Sequence, residues 1–208
     1  MTKPFNRHNC LYLITDRNVA GLSHIQIARR AISAGIRIIQ LREKQMSKKE
    51  LFNEALAIRK LTFKHKALFI INDYIDMALA VDADGVHLGQ EDMPLEEARR
   101  IMGKKIIGIS THTLKQAVEA ERAGADYIGF GPMFHTATKD AGRPKGLRAL
   151  KQIRRHIKIP IVAIGGITPE NLLSVLGAGA DAPAVMSAIL RGDIRKNTKK
   201  FLSAIEIL

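Results

Sequence analysis

Tryptophan is absent, cysteine occurs once, and only 5% of the residues are aromatic. The lone Cys10 excludes an internal disulfide and cannot by itself build a thiolate-rich metal site, which suits a reducing compartment. So few rings provide no stacking platform for single-stranded nucleic acid, and no recognisable nucleic-acid-binding motif is present. Long apolar runs are missing too. None approaches the ~18 uncharged residues of a membrane span. Met1 to Cys10 is polar, where a secretory leader would have a basic patch and an apolar stretch, so the expected location is the cytoplasm, away from membranes. With no linker or low-complexity segment, residues 1–208 read as one catalytic domain, and the 46% hydrophobic content is enough for a substantial core.

Positive charge is in excess: 33 Lys and Arg against 20 Asp and Glu give a formal charge of +13. That balance suits phosphate-rich partners, either nucleic acid or small phosphorylated substrates, and charge alone does not choose between them. The cations are spread over helical stretches, as at Arg29, Arg30, Arg99, Arg100, Lys151, Arg154 and Arg155, and read as solvated surface. Assembly into a homo-oligomer is left open.

A short pattern recurs, in which an apolar helix and a small-residue turn precede a β-rich run. It appears at Ala34-Gly35, Ala83-Asp84-Gly85, Gly124-Ala125-Asp126 and Gly179-Ala180-Asp181. Completing it predicts eight strands, near residues 11–15, 36–41, 68–71, 85–88, 106–110, 127–131, 161–164 and 184–187. Helices lie between them, with starts predicted at Ser47/Glu50, Thr113/Gln116 and Thr168-Pro169. The strands are near-continuous apolar runs, such as Ala67 to Ile71, as expected of parallel strands covered by helices. The expected fold is α/β, a (β/α)8 TIM barrel of parallel strands. A doubly wound open sheet is the alternative, but its glycine-rich first turn has no counterpart in Thr15-Asp16-Arg17-Asn18.

In such a barrel the chemistry gathers at the C-terminal strand ends. Gln40, Arg42 and Lys44 alternate at the end of strand two, so the two cations can address one anion such as a diphosphate; two solvated cations is the plain alternative. Asp73 and Asp92 end adjacent strands and can share one hard cation, a donor set suited to magnesium rather than zinc; otherwise Asp73 caps a helix and Asp92 serves a turn before Pro94. The Gly129 to Lys139 loop carries Thr136, Thr138 and Lys139 and reads as a phosphate clamp. Gly165-Gly166 and Ser187, after strands seven and eight, fit a backbone phosphate site. The histidines match neither triad nor metal spacing; His112 and His135 lie near the expected mouth, while His65 and His156 fall in helices.

From Leu11 through Ile189 the chain resembles the thiamine phosphate synthases. The resemblance is carried by Gln40-Leu41-Arg42-Glu43-Lys44, Ile71-Asn72-Asp73, the Asp84 to Asp92 block, Gly108-Ile109-Ser110, the Gly129 to Lys139 loop and Ala163 to Ile167. It implies a magnesium-dependent transferase of thiamine biosynthesis. Such an enzyme joins 4-amino-2-methyl-5-(diphosphooxymethyl)pyrimidine to 4-methyl-5-(2-phosphooxyethyl)thiazole, giving thiamine phosphate and diphosphate. By the same resemblance Gln40, Leu41, Arg42, Glu43, Lys44, Asn72, Ser110 and Lys139 match the pyrimidine diphosphate positions, and Asp73 and Asp92 the Mg2+ positions. Thr136, Ala137, Thr138, Gly166, Met186 and Ser187 match the thiazole phosphate positions. Arg42, Lys44, Ser110 and Lys139 are the expected catalytic residues. The chain departs from the family pattern at Ala182-Pro183, and Pro183 is expected to stand at the opening of strand eight. A related thiazole tautomerase on the same barrel, and a basic nucleic-acid-binding protein, are the alternative functions.

Overall fold

A computed structural model of the chain describes residues 5, 10–136 and 142–206. Strands and helices alternate through them as β1 (Tyr12–Ile14), α1 (Arg17–Ala20), α2 (His24–Ser33), β2 (Ile38–Leu41), α3 (Lys48–Lys64), β3 (Leu68–Asn72), α4 (Ile75–Ala80), β4 (Gly85–Leu88) and α5 (Leu95–Met102). The order continues with β5 (Ile106–Thr111), α6 (Leu114–Arg122), β6 (Tyr127–Phe130), α7 (Gly146–Arg154), β7 (Ile161–Ile164), α8 (Leu172–Gly177), β8 (Ala182–Val185), α9 (Ser187–Leu190) and α10 (Ile194–Ile205). Each strand pairs in parallel with the next, and β8 returns to β1 through Tyr12↔Ala184 and Leu13↔Val185, closing the expected (β/α)8 barrel. None of the described helices is long and apolar enough to cross a membrane.

The helix starts follow side-chain chemistry. Ser47 and Glu50 form the expected reciprocal capping box, and Ser23 and Gln26 form a second one at the head of α2. At α6 only half a box forms: Thr113 accepts the Gln116 N–H, but the Gln116 side-chain oxygen takes the His112 N–H instead. α8 begins at Leu172 and not at Thr168-Pro169, because Asn171 folds back to accept the Thr168 N–H and makes those residues a turn.

The recurring small-residue turns have a physical role at the opposite end of the barrel from the mouth. Asp84, Asp126 and Asp181 each precede an even-numbered strand and each accept a backbone N–H from the odd-numbered strand before it. The donors are Phe69 at 2.7 Å, Ile107 at 2.8 Å and Ile161 at 2.8 Å. An arginine from the helix that precedes the odd-numbered strand, Arg59 on α3, Arg99 on α5 or Arg154 on α7, pairs with each carboxylate. Each aspartate therefore ties two strands and a helix together. Replacing Asp126 with Ala should cost about 1.5–3 kcal/mol, the usual range for a hydrogen bond to a charged acceptor, while leaving substrate KM unchanged. Urea unfolding together with steady-state kinetics checks this.

Strand eight departs from expectation. It spans Ala182–Val185 instead of 184–187, and Pro183 lies within it in register with Ala163 of β7. The register is set by β7, whose Val162, Ala163 and Ile164 face Ala182, Pro183 and Ala184. Pro183 has no N–H to give the ladder. The β1 pairings of this strand start one residue later, at Ala184. Met186 and Ser187 consequently lie beyond the strand, as the cap and first residue of α9.

Candidate active site

Alternate strand residues point inward and line a cavity inside the barrel, among them Tyr12, Gln40, His87, Ser110, Tyr127 and Gly129. Two strand glycines make this interior possible. A Cβ on Gly108 would stand 2.0 Å from Tyr127 Cζ, and one on Gly129 would meet His87 Cε1 at 3.0 Å. Tyr127 and His87 therefore occupy volume that side chains on β5 and β6 would otherwise fill.

Above the cavity, a buried cluster holds the loop after β2. Thr15 directly follows β1 and accepts the Arg42 N–H, at 3.3 Å. Its hydroxyl lies 2.8 Å from His24 Nδ1, and His24 Nε2 lies 3.1 Å from Glu43 Oε2. Because a carboxylate only accepts, the imidazole proton sits on Nε2, and Nδ1 accepts from Thr15. Burial lowers the His24 pKa below its ordinary value, against the pull of Glu43, and so favours this neutral form. Glu43 Oε1 also accepts the N–H groups of Lys44 and Gln45. The described contacts of the Glu43 carboxylate are thus with the protein, and they shape the loop that presents Arg42 and Lys44.

Asp73 follows β3 with a left-handed backbone, φ 64°, unusual outside glycine. It is not the N-cap of α4, a place taken by Tyr74. Burial, followed by hydrogen bonding to Asp92 and repulsion from its charge, pushes the Asp73 pKa up to about 6, with Lys44 and Arg42 pulling the other way. Lys44 Nζ lies 3.8 Å from Asp73 Oδ2. Asp92 is held by the Gly89 N–H, which donates to Oδ2 at 2.6 Å. Arg42, Lys44, Asp73 and Asp92 therefore converge. No group of three or more His, Cys, Asp or Glu side chains that could hold a metal occurs among the described residues. Two close carboxylates with space for water or phosphate oxygens suit a hard divalent cation.

On the other side of the mouth, Met133 and Phe134 donate their N–H groups to Ile164 and Gly165, stapling the start of the β6 loop to the end of β7. Glycine is required there: a Cβ on Gly166, at φ 66°, would come within 2.5 Å of the His135 carbonyl oxygen. His112 Nδ1 contacts the Gly131 carbonyl at 2.9 Å, which makes it a brace for the same loop. Thr136 is half-buried at the end of this described segment. Ala137, Thr138 and Lys139 lie outside the described residues. Gly166 and the Met186-Ser187 pair follow the neighbouring strands β7 and β8, and Asn72 and Ser110 end or nearly end β3 and β5. The expected residues thus form two arcs, one carried by β2 to β5 and one by β6 to β8.

A family model described as thiamine monophosphate synthase matches residues 11–189. The chain belongs to the thiamine monophosphate synthase family. Family membership places it among transferases. A thiamine-phosphate synthase of Clostridium novyi is 50% identical over 198 residues, covering 94% of this chain and 97% of that one. One from Chloroflexus aurantiacus is 50% identical over 185 residues, 88% and 86% of the two chains. The solved thiamine phosphate pyrophosphorylase of Pyrococcus furiosus superposes with a TM-score of 0.90 at 43% identity, covering 97% of each chain. A 3-hexulose-6-phosphate synthase, 17% identical with a TM-score of 0.72 over 93% of this chain and 99% of that one, shares the fold alone.

For this family member, sequence reasoning passed over Tyr12, Tyr127 and His87 within the barrel, and Thr15 and His24 beneath the β2 loop. A signal for His87 was present: it stands two residues after Gly85 on an inward position, facing strands that carry glycine at 108 and 129.

Proposed function

We propose that the protein condenses 4-amino-2-methyl-5-(diphosphooxymethyl)pyrimidine with 4-methyl-5-(2-phosphooxyethyl)thiazole, releasing thiamine phosphate and diphosphate. The observation that carries this reading is the meeting of a carboxylate pair, Asp73 and Asp92, with two cations, Arg42 and Lys44, at the mouth. Neither set alone selects the substrate. Together they suit a diphosphate held through a divalent cation, and the tautomerase alternative has no need of such a combination.

In the proposed reaction the C–O bond between the pyrimidine methylene and the diphosphate breaks, and its electron pair leaves with the diphosphate. The thiazole nitrogen then gives its lone pair to the methylene carbon, forming the C–N bond of a thiazolium. No protein nucleophile is needed. Arg42 and Lys44 oppose the charge that grows on the departing oxygens, a task in which fixed charges act without reorganising. Lys139, by family resemblance, would join them. Asp73 and Asp92 would hold Mg2+, which when bound supplies further charge neutralisation to the leaving group. Ser110, Gln40 and Asn72 orient the pyrimidine, while the β6 to β8 arc, with Thr136, Gly166, Met186 and Ser187, holds the thiazole phosphate so that its nitrogen meets the methylene.

Calorimetric titration with inorganic diphosphate tests this assignment. Binding should require magnesium and weaken at least tenfold in Arg42→Ala, about the energy of one charge-assisted contact. Equal binding without metal, or by the variant, would count against it.

The raised Asp73 pKa gives a pH signature. A carboxyl whose folded pKa of about 6 exceeds the unfolded value binds its proton more tightly when folded. Metal-free protein therefore loses stability as pH rises from about 4, the unfolded value, through about 6. A cation competes with that proton, so magnesium should raise Tm more at pH 7.5 than at pH 5. Thermal melts at both values with and without the metal measure the difference, and an equal or reversed effect contradicts the assignment.

A further inference from the structure

Four hydrogen bonds join Gln40 on β2 to Ser110 on β5 across the barrel interior. Gln40 Nε2 donates to Tyr12 Oη at 2.9 Å, the Tyr12 and Tyr127 hydroxyls are 2.9 Å apart, Tyr127 Oη is 2.9 Å from His87 Nδ1, and His87 Nε2 is 2.9 Å from Ser110 Oγ.

Counting protons gives this series a direction. The Tyr12 hydroxyl accepts from Gln40, and Tyr12 is only 1% exposed, so its own proton goes to its remaining partner, Tyr127. Tyr127 then donates to His87 Nδ1. An Nδ1 that accepts carries no proton, so the ring keeps a single proton on its other nitrogen. With Nδ1 accepting, that proton is on Nε2 and is donated to Ser110 Oγ. Ser110 receives a hydrogen bond from the protein and retains its own proton for a ligand. The opposite order from Tyr127 onward would leave the buried Tyr12 proton unmatched, a costly arrangement.

We infer that Tyr12, Tyr127 and His87 are positioning residues that set the polarity of Ser110, making it a hydrogen-bond donor to an acceptor atom of the bound pyrimidine diphosphate. This rests on the proposed function for the identity of the ligand. The barrel is shaped for the relay as well as wired for it: Gly108 and Gly129 leave the space in which the Tyr127 and His87 rings stand, and Phe5 packs on both tyrosine rings.

Two measurements test the inference. Nitrogen-15 NMR of the imidazole in the wild-type protein, with no substrate present, should report the Nε2–H tautomer of His87. An Nδ1–H tautomer would mean that the Gln40 amide is turned and the series runs backwards, and would overturn the inference. Tyr127→Phe should then lower kcat roughly tenfold, the worth of one hydrogen bond of about 1.4 kcal/mol, with Tyr12→Phe behaving alike and melting curves confirming that each variant is folded. Combined with Ser110→Ala, Tyr127→Phe should have no further effect. An equal loss with and without the Ser110 hydroxyl would show that the tyrosine acts only on structure, and would overturn the positioning role. If wild-type protein forms no thiamine phosphate, the functional reading falls and the named ligand with it, whereas the polarity of the relay is decided by the spectrum alone.

Discussion

Asp73→Asn is expected to lower kcat about 100- to 1,000-fold, the usual consequence of removing one preorganised electrostatic group from a reacting centre, while leaving the fold at least as stable above pH 6. Both halves follow from the same geometry. The carboxylate is pressed against Asp92 and partly buried, so in metal-free protein its charge works against folding. An amide removes that repulsion and the capacity to hold a cation together. Asparagine is the informative replacement because Asp73 sits at φ 64°, where Asn is tolerated and Ala adds strain of its own. Kinetics at several magnesium concentrations and melts at pH 7.5 measure the two effects. A folded variant with near-wild-type, magnesium-responsive turnover would remove Asp73 from the metal site.

Gly108→Ala is expected to be the most damaging small substitution in the barrel, costing about 3 kcal/mol, the upper end of ordinary overpacking. The added methyl would lie 2.0 Å from Tyr127 Cζ and 2.4 and 2.5 Å from the two Cε atoms. The ring has little freedom to retreat. It is fully buried, packed edge-on by Phe5 at 5.2 Å, stacked on His87 at 5.4 Å, and held by its hydroxyl to both Tyr12 and His87. Interiors of this density transmit the strain, so the β5 backbone must shift and carry Ser110, two residues on, out of place. Denaturant unfolding should give a lower midpoint with an unchanged slope, and turnover should fall as well. A loss under about 1 kcal/mol would mean that the cavity yields more easily than its packing implies.

Much of the architecture was legible because its signals are local. Apolar runs such as Phe69-Ile70-Ile71 mark the strands, small-residue turns such as Gly124-Ala125-Asp126 precede the even-numbered ones, and eight runs leave few alternatives to a closed barrel. The convergence of Arg42, Lys44, Asp73 and Asp92 was legible as well, since consecutive parallel strands end side by side. Strand eight was misplaced because its limits come from register against β7: Ala163 pairs with Pro183, information held by another strand twenty residues earlier in the chain and not by the local pattern around Pro183. The relay was overlooked for a related reason. Tyr12, Gln40, His87, Ser110 and Tyr127 belong to five strands and meet only when the barrel closes. Glu43, grouped with the ligand-binding residues, also holds its own loop through His24, a contact that depends on how α2 returns against β2.

The most direct test of the central claim is product formation by the purified protein. Supplied with the pyrimidine diphosphate, the thiazole phosphate and magnesium, it should yield thiamine phosphate and diphosphate in equal amounts, with neither appearing when one substrate is withheld and both falling sharply after chelation of the metal. Absence of thiamine phosphate from a folded, magnesium-supplied sample, or an undiminished rate in the chelated control, would contradict the account.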